Sequence, residues 1–542
     1  MISFYNRESE LQMLLALIEA SQETGPKNVA LVGIRKVGKT QILFELERRL
    51  EKVKDIVSTY VYVEPGAFSY LGESWLFALL SKTAIALGVL TTDELLRVPQ
   101  SGRMRLLASK LIGEFPELSE RFFDLAGQEK RDAFETLSAC FEFVQHFAQK
   151  KGLLYVCMFD EFQNLRTFGE SALEDRIRSY LLRQQGYMFI TAGSIISSLT
   201  DMFENAQSPL FGHFRMETVG PFSYEDSRGF ILSRLQGRSN LSELQINYLI
   251  HLTHGYPYYL DVLVEEILLK YNELRNISQN VFIDVLLSQI FSVNGQIYNY
   301  LKYLIEASFT QRGYKSYVDI LAAIAQGNKS VTEIANDVKE PKENVNTYLR
   351  RLMEMSFLAR QNSRYLILDP LLELWLREVF LTEELADRLG LHEKYNLYRS
   401  QIEKMIQTFK VELGKGNEAR VRELFMAFDG SLTFKGLRLP KFSDVRAETV
   451  DGAEIDIWAV TDTGVWIGEV KDSNVSTADV QKFSDKINIV ERSFSVECKL
   501  LVCLLGIDSA AYEAAQKEGI QVFLLKDINF LMENYSKFPI LV

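Results

Sequence analysis

The chain has 542 residues, more than one hydrophobic core usually organises, so several domains are expected. Its composition, 47% hydrophobic and 24% charged, is that of a globular protein, and no run approaches the ~18 consecutive apolar residues of a membrane span. Lys and Arg number 60 against 72 Asp and Glu, and the net charge of −12 argues against coating nucleic acid by bulk charge while leaving room for a local basic groove.

The opening Met1-Ile2-Ser3-Phe4 lacks a basic region followed by an apolar run, so no signal peptide is expected, and a cytoplasmic protein with no membrane partner is the reading. Cys140, Cys157, Cys498 and Cys503 show no CxxC spacing and read as reduced packing residues rather than zinc ligands or disulfides. No internal repeat or low-complexity tract is visible.

The first informative element is the apolar run Val29-Ala30-Leu31-Val32, which predicts a strand and leads into Gly33-Ile34-Arg35-Lys36-Val37-Gly38-Lys39-Thr40. That octet is GxxxxGK[ST] in its required context, since Ile42, Leu43, Leu46 and Leu50 recur at helical spacing behind it. Gly33 and Gly38 let the backbone curl so that successive N–H groups point at phosphate oxygens, and the helix start adds its positive dipole end. Lys39 is predicted to neutralise the β- and γ-phosphates of ATP, and the Thr40 hydroxyl to ligate magnesium.

A second strand, Leu153 to Phe159, ends in Asp160-Glu161. Its unbroken apolar run is that of a strand buried on both faces of a parallel sheet, whose carboxyl end is where ligands sit. Asp160 is expected to hold magnesium through water and Glu161 to polarise the attacking water; an acidic pair after a strand also serves as a helix cap. A third strand, Tyr187 to Ala192, runs into Gly193-Ser194, where Ser194 could sense the γ-phosphate or simply cap a helix.

Three further segments carry a family resemblance: Phe4-Tyr5-Asn6-Arg7-Glu8-Ser9-Glu10-Leu11; Ser208 to Arg215 followed by Gly220-Pro221-Phe222-Ser223; and Gly255-Tyr256-Pro257-Tyr258-Tyr259. They resemble the F-x-x-R-E-x-E-L box, the PLYGR…PF segment and the GxP motif of archaeal-type P-loop ATPases related to the STAND and origin-recognition groups. The resemblance implies that Arg7 and Pro257 lie near the adenine. Where that family has arginine after the PLYG glycine this chain has His213, which leaves Arg178, Arg183 and Arg215 as alternative arginine fingers.

From Tyr224 to about Asn299 apolar stripes predict helices, read as a lid over the nucleotide. From Ile320 to Asp369 the pattern is helix, helix, turn, helix and hairpin, which resembles a winged helix-turn-helix. Asn344, Asn346, Thr347, Arg350 and Arg351 fall on or near the exposed side of its third helix, with Arg360 and Arg364 on the wing around Gln361-Asn362-Ser363-Arg364. These groups suit phosphate contacts, although winged helices in ATPases also serve only as packing modules.

After a helical connector the periodicity becomes mixed α/β and resembles a PD-(D/E)xK restriction-endonuclease-type domain, carried by Glu418, by Asp456 in Glu454-Ile455-Asp456-Ile457-Trp458, and by Glu469-Val470-Lys471. Two antiparallel strands joined at Thr461-Asp462-Thr463-Gly464 would set Asp456 beside Glu469, where two carboxylates can share magnesium. Lys471, on the same strand face as Glu469, could activate water; Glu418 could complete the metal shell, and Gln481 or Lys482 could assist.

The expected architecture is multidomain α/β: a P-loop NTPase parallel sheet (1–222), a helical lid (223–300), a winged helix (301–370), a connector (371–410) and a restriction-endonuclease-like α/β domain (411–542). The expected function is ATP-dependent DNA processing with a metal-dependent nuclease, DNA being favoured over RNA, with ATP and Mg2+ as cofactors and a homo-oligomer in view. A nucleotide-dependent oligomerising switch in defence or signalling, and a DNA-binding ATPase without cleavage, are the alternatives.

Overall fold

The computed structural model describes residues 4–66, 68–111, 132–169, 172–309, 313–361, 364–380, 391–413, 416–535 and 540. The chain divides into two compact units, Met1–Tyr398 and Arg399–Val542, the division falling within the helix Leu391–Leu413.

The first unit is organised by five strands: β1 (Val29–Val32), β2 (Ile56–Tyr62), β3 (Leu154–Asp160), β4 (Tyr187–Gly193) and β5 (Arg215–Thr218), in the order β2-β3-β4-β1-β5 and parallel throughout. Every residue of β1, β3 and β4 is buried, which is why their sequences run apolar instead of alternating. Because all five run the same way, the carboxyl ends of β1, β4 and β3 lie side by side on one edge of the sheet. The helices Phe68–Ala86 and Ala133–Lys151 pack on each other around Trp75, whose ring meets Phe141, Phe159 and Phe189 edge-on at 5.0, 5.1 and 5.9 Å. Pairs of that geometry add about 0.5–1.5 kcal/mol each beyond the area they bury, so the helices are fixed against the strands that present the site.

Helices Tyr224–Leu235, Glu243–Thr253, Pro257–Leu274, Gln279–Leu286 and Gln296–Ser308 follow. Ser223, Ser242 and Ser278 start three of them, each hydroxyl accepting a backbone N–H three residues on. The stretch Gln279–Ser308 is long and apolar enough to cross a membrane by length and composition, but 61% of that window is buried within the fold.

A helix-turn-helix follows: helices Tyr314–Ala325, Val331–Val338 and Lys342–Glu354, then the antiparallel hairpin β6 (Leu358–Gln361) and β7 (Arg364–Ile367), and helix Pro370–Glu378. A Ser330/Glu333 capping box starts the second helix and Pro341 caps the third. Asn362 and Ser363 of the expected wing turn lie outside the described residues.

In the second unit, helix Asn417–Met426 and the short hairpin β8 (Thr433–Phe434) and β9 (Leu437–Arg438) precede a mixed sheet: β10 (Asp444–Val450), β11 (Ala453–Val460), β12 (Val465–Lys471), β13 (Val496–Cys503) and β14 (Gln521–Leu524), paired in that order. The first three are antiparallel; β12, β13 and β14 are parallel. The parallel crossovers are the helices Thr477–Val490 and Ser509–Lys517. Alternation along β12 sends Trp466 into one core with Phe425 and Phe442, and Ile467 into another with Phe483 and Ile487. The four cysteines are free and buried, as packing residues should be.

Candidate functional site

The chain leaves β1 in close quarters: a Cβ on Gly33 would stand 2.1 Å from the Val219 carbonyl oxygen, so only glycine fits there. Gly38, at φ +99°, is the N-cap of helix Lys39–Leu50, a conformation that favours glycine. Lys39 is 5% exposed and its ammonium donates to the carbonyls of Gly33 (2.7 Å) and Ile34 (2.9 Å). Burial pushes its pKa down to about 8, against the pull of Glu161 and Asp160.

Thr40 Oγ1 donates to Asp160 Oδ2 at 2.6 Å, and the Tyr60 hydroxyl, from the end of β2, reaches the same oxygen at 3.0 Å. Burial raises the Asp160 carboxyl, with Glu161 adding to the rise. Glu161 adopts a left-handed conformation (φ 52°) at the head of the turn Phe162–Phe168 without capping it. Its carboxylate instead accepts from Ser194 Oγ (2.7 Å) and from the Gln163 amide. Ser194 likewise caps no helix; Ile195 is the N-cap of helix Ile196–Glu204. β4, lying between β1 and β3, therefore brings Ser194 against Glu161. Tyr60 and Gln163 are the members of this cluster that sequence reasoning missed, because strand order and a short 3-10 turn place them.

Beside these residues opens a cavity of about 400 Å3 bordered by residues 35–41, Glu161, Phe222, Phe230, Pro257 and Tyr258. Arg7 lines it too, but its guanidinium is engaged: it donates to the Val37 carbonyl (2.9 Å), the Gly220 carbonyl (2.5 Å) and Glu10 (2.9 Å), and lies 4.8 Å from the Phe222 ring centre. Arg7 thus braces the phosphate loop against the end of the core. Tyr5 packs edge-on against Phe222 and Phe230, and Pro257 opens helix Pro257–Leu274 at its first position. The structure brings none of the three finger candidates to this cavity: Arg178, Arg183 and Arg215 are absent from its lining, and Arg215 pairs with Glu217.

On the helix-turn-helix, Asn344, Asn346, Thr347, Arg350, Arg351, Arg360 and Arg364 are all exposed. Arg351 donates to the Tyr317 hydroxyl (3.2 Å) and Arg350 approaches Glu354 (4.0 Å).

In the second unit, the last paired rung of β11 and β12 is Ile457 with Gly468, and Asp456 and Glu469 are the residues next beyond it on their strands. The turn is closed by Thr461 N–H donating to the Gly464 carbonyl. Asp456 Oδ2 accepts the Val470 N–H (2.9 Å); burial raises its carboxyl, with Glu469 and Glu418 adding to the rise. Glu469 is 5% exposed and carries two lysines: Lys471 Nζ at 2.9 Å from Oε1, and Lys486 Nζ at 2.9 Å from both oxygens. Two expectations need correction. The residue of helix Thr477–Val490 that reaches Glu469 is Lys486, whereas Gln481 donates to Asp485. Glu418 sits exposed in the first turn of helix Asn417–Met426, and among the described residues no three carboxylates, histidines or cysteines converge as a metal-ligating group. Its link to Asp456 is electrostatic only.

Residues 244–365 match the helix-turn-helix family model described as Cmi2, C-terminal. The uncharacterized protein MJECL04 of Methanocaldococcus jannaschii is 25% identical over 410 residues, spanning 70% of this chain and 84% of that protein. Among solved structures, the Walker-type ATPase PABY2304 of Pyrococcus abyssi is similar at TM-score 0.46 and 20% identity, covering 69% of this chain and 96% of its own. The Aeropyrum pernix ORC2 protein gives 0.43 and 12%, covering 76% and 98%. The ORC1 protein of the same organism, solved in complex with DNA, gives 0.38 and 13%, covering 70% and 94%. Likenesses of this depth carry no functional argument; the P-loop sheet rests on this chain's own strand order and loop, and the helix-turn-helix on its own elements and the family match.

Proposed function

We propose that the chain binds and hydrolyses ATP with magnesium and couples that cycle to a nucleic acid, DNA rather than RNA. The observation that carries this reading is the convergence of Lys39, Thr40, Asp160, Glu161 and Ser194 on one edge of a parallel sheet, beside a cavity open to a nucleotide. Backbone N–H groups of residues 33–40 bind phosphate oxygens, and Lys39 exchanges its two carbonyl partners for the β- and γ-phosphates. Thr40 and Asp160, whose oxygens lie 2.6 Å apart, would hold a magnesium ion, Thr40 through its hydroxyl and Asp160 through water; when bound, that ion would neutralise charge developing on the phosphoryl oxygens. Glu161 orients the attacking water once the γ-phosphate draws Ser194 away from it. Arg7 and Pro257 shape the base end of the cavity.

The same proposal assigns residues 1–222 to the ATPase core, 223–300 to a lid, 301–370 to a winged helix, 371–410 to a connector and 411–542 to a nuclease-like domain acting through Asp456, Glu469 and Lys471. Support for cleavage is that Asp456 and Glu469 lie one residue beyond the last paired rung of adjacent strands, with Asp456 accepting the Val470 N–H, and that Lys471 pairs with Glu469. One observation favours the rival reading of a DNA-binding ATPase or oligomerising switch without cleavage: both Glu469 oxygens are neutralised by lysine, so a divalent ion fits only after an ammonium withdraws. Incubating the purified protein with plasmid, linear and single-stranded DNA and with RNA, with and without ATP, in magnesium and in manganese, separates the readings. Metal-dependent cleavage of DNA supports the nuclease. ATP hydrolysis stimulated by DNA with intact strands supports the rival.

A further inference from the structure

Lys36 stands at the tip of the phosphate loop in a left-handed conformation (φ 67°) and is exposed overall. Its ammonium lies 4.2 Å from the ring centre of Tyr258 and 4.7 Å from that of Tyr300, within cation–π range of both. Neither ring is a passive wall. Tyr258 belongs to the segment Gly255-Tyr256-Pro257-Tyr258-Tyr259, and its neighbours hold the chain just beyond the winged-helix hairpin: Tyr256 donates to the Leu368 carbonyl (2.9 Å) and Tyr259 to Asp369 Oδ2 (2.5 Å). Asp369 also caps helix Pro370–Glu378 through the N–H groups of Leu371 and Leu372.

Tyr300 makes the same bridge by another route. It borders the nucleotide cavity and also a smaller cavity enclosed by Ile34, Arg35, Ser194, Phe357, Leu368 and Asp369. Its hydroxyl is buried without a hydrogen-bond partner among the described residues. A buried phenol left in that condition, between a phosphate-binding loop and a carboxylate, is a group waiting for an acceptor.

From this geometry we infer that the Lys36 side chain is a phosphate-positioning residue, held by Tyr258 and Tyr300 when no nucleotide is bound, and that its release is communicated through Tyr256 and Tyr259 to the winged helix. This deepens the ATP reading and rests on it. A triphosphate places several negative charges beside the loop, and an ammonium that rests on two ring faces can exchange them for phosphate oxygens. The clamp is then open exactly when nucleotide is present, and a tyrosine segment that grips the loop on one side and residues 368–369 on the other has two arrangements that the ligand distinguishes. Reciprocity follows: whatever weakens the hold on residues 368–369 must alter nucleotide affinity.

The test uses the full chain and a non-hydrolysable ATP analogue. Tyr256→Phe combined with Tyr259→Phe removes both hydroxyl anchors and keeps every ring; neither residue borders the nucleotide cavity. The double variant loosens the clamped arrangement, so the analogue should bind about fivefold more tightly, the low end of ordinary coupling. Tyr256→Phe alone, which spares buried Tyr259, should shift affinity in the same direction by less. In the wild type, the analogue should speed amide exchange in residues 364–378; Lys36→Met should weaken analogue binding and abolish that acceleration. Analogue binding by the wild type with both tyrosine variants unchanged would overturn the link and leave the ATP reading standing, as would acceleration that persists in Lys36→Met. A wild type that binds no analogue overturns both.

Discussion

The two charged clusters of this chain are built in opposite senses. At the nucleotide cavity a cation, Lys39, is buried with only two backbone carbonyls as partners, beside an open space of about 400 Å3. At the sheet of the second unit an anion, Glu469, is equally buried but carries two ammonium groups. A buried charge bonded only to carbonyls, with carboxylates near but not paired to it, is costly and is retained where a ligand will complete it, whereas a buried charge already in ion pairs is better satisfied as it stands. The first cluster is preorganised for an anionic ligand; the second must break an internal pair before it can take a cation.

The largest effects should come from breaking each cluster at its centre. Lys39→Ala removes the cation and should lower ATP turnover at least about a hundredfold while weakening binding. Glu161→Gln, which keeps the shape but removes the base, should cut hydrolysis by about 10²–10⁴ and retain bound ATP, as filter binding with labelled nucleotide would show. A Lys39→Ala protein that turned over ATP at the wild-type rate would break the comparison on the first side. On the second, Asp456→Ala should reduce metal-dependent DNA cleavage by orders of magnitude with ATP hydrolysis unchanged. Lys471→Ala should lose rate without weakening metal binding, because its ammonium would act on water or phosphate and competes with the ion for Glu469 rather than holding it. Cleavage that survives Asp456→Ala would remove the nuclease assignment.

A smaller effect sharpens the first side through pH. The free protein's Lys39 has its pKa pushed down to about 8 by burial, and nucleotide binding requires the ammonium. Above that pH the apo protein must take up a proton to bind, so analogue dissociation constants should rise about tenfold between pH 7 and pH 9, with proton uptake visible in calorimetry in buffers of different ionisation enthalpy. The sign for stability is opposite to that of a favourable pair. A lysine with a depressed folded pKa costs stability below about pH 8, and the cost fades as pH rises toward the unfolded value. Replacing Pro257 should be milder still, raising the ATP dissociation constant several-fold without changing magnesium dependence, because it alters the helix start at the cavity wall rather than the phosphate cradle.

What the sequence makes legible in both clusters is what short stretches of chain determine. The strand, loop and helix around Gly33 to Thr40 are contiguous, and the turn at Thr461–Gly464 fixes by counting the register that ends at Ile457 and Gly468, one residue short of Asp456 and Glu469. Contacts set by topology are not legible. Tyr60 reaches Asp160 because β2 neighbours β3, and Lys36 meets Tyr258 and Tyr300 more than two hundred residues away. Arg7 adds a detail the sequence does not carry: its place by the cavity accords with the family box, and its bonds to the Val37 and Gly220 carbonyls make it a brace. Lys486 was displaced from the expected Gln481 and Lys482 because the turn of helix Thr477–Val490 that comes level with Glu469 depends on how Val480, Phe483 and Ile487 pack, which spacing alone does not reveal.

That lysine supplies the finest test of the comparison. If the second cluster is closed on itself, Lys486→Met should open it, leaving Glu469 with Lys471 on one oxygen and its other oxygen free. Two consequences run in opposite directions. Losing one of two partners on a buried carboxylate should destabilise the fold by about 1 kcal/mol, well below the 3–5 kcal/mol of a fully orphaned buried charge because Lys471 remains. The oxygen so released should bind manganese several-fold more tightly, since the ion no longer displaces an ammonium from it. Calorimetric titration of full-length protein, with Asp456→Ala as the control for the nucleotide site, reads the second effect, and urea unfolding reads the first. Unchanged manganese affinity in Lys486→Met, alongside binding that depends on Asp456, would mean that the ammonium stands aside from the ion's position and that the cluster is already open.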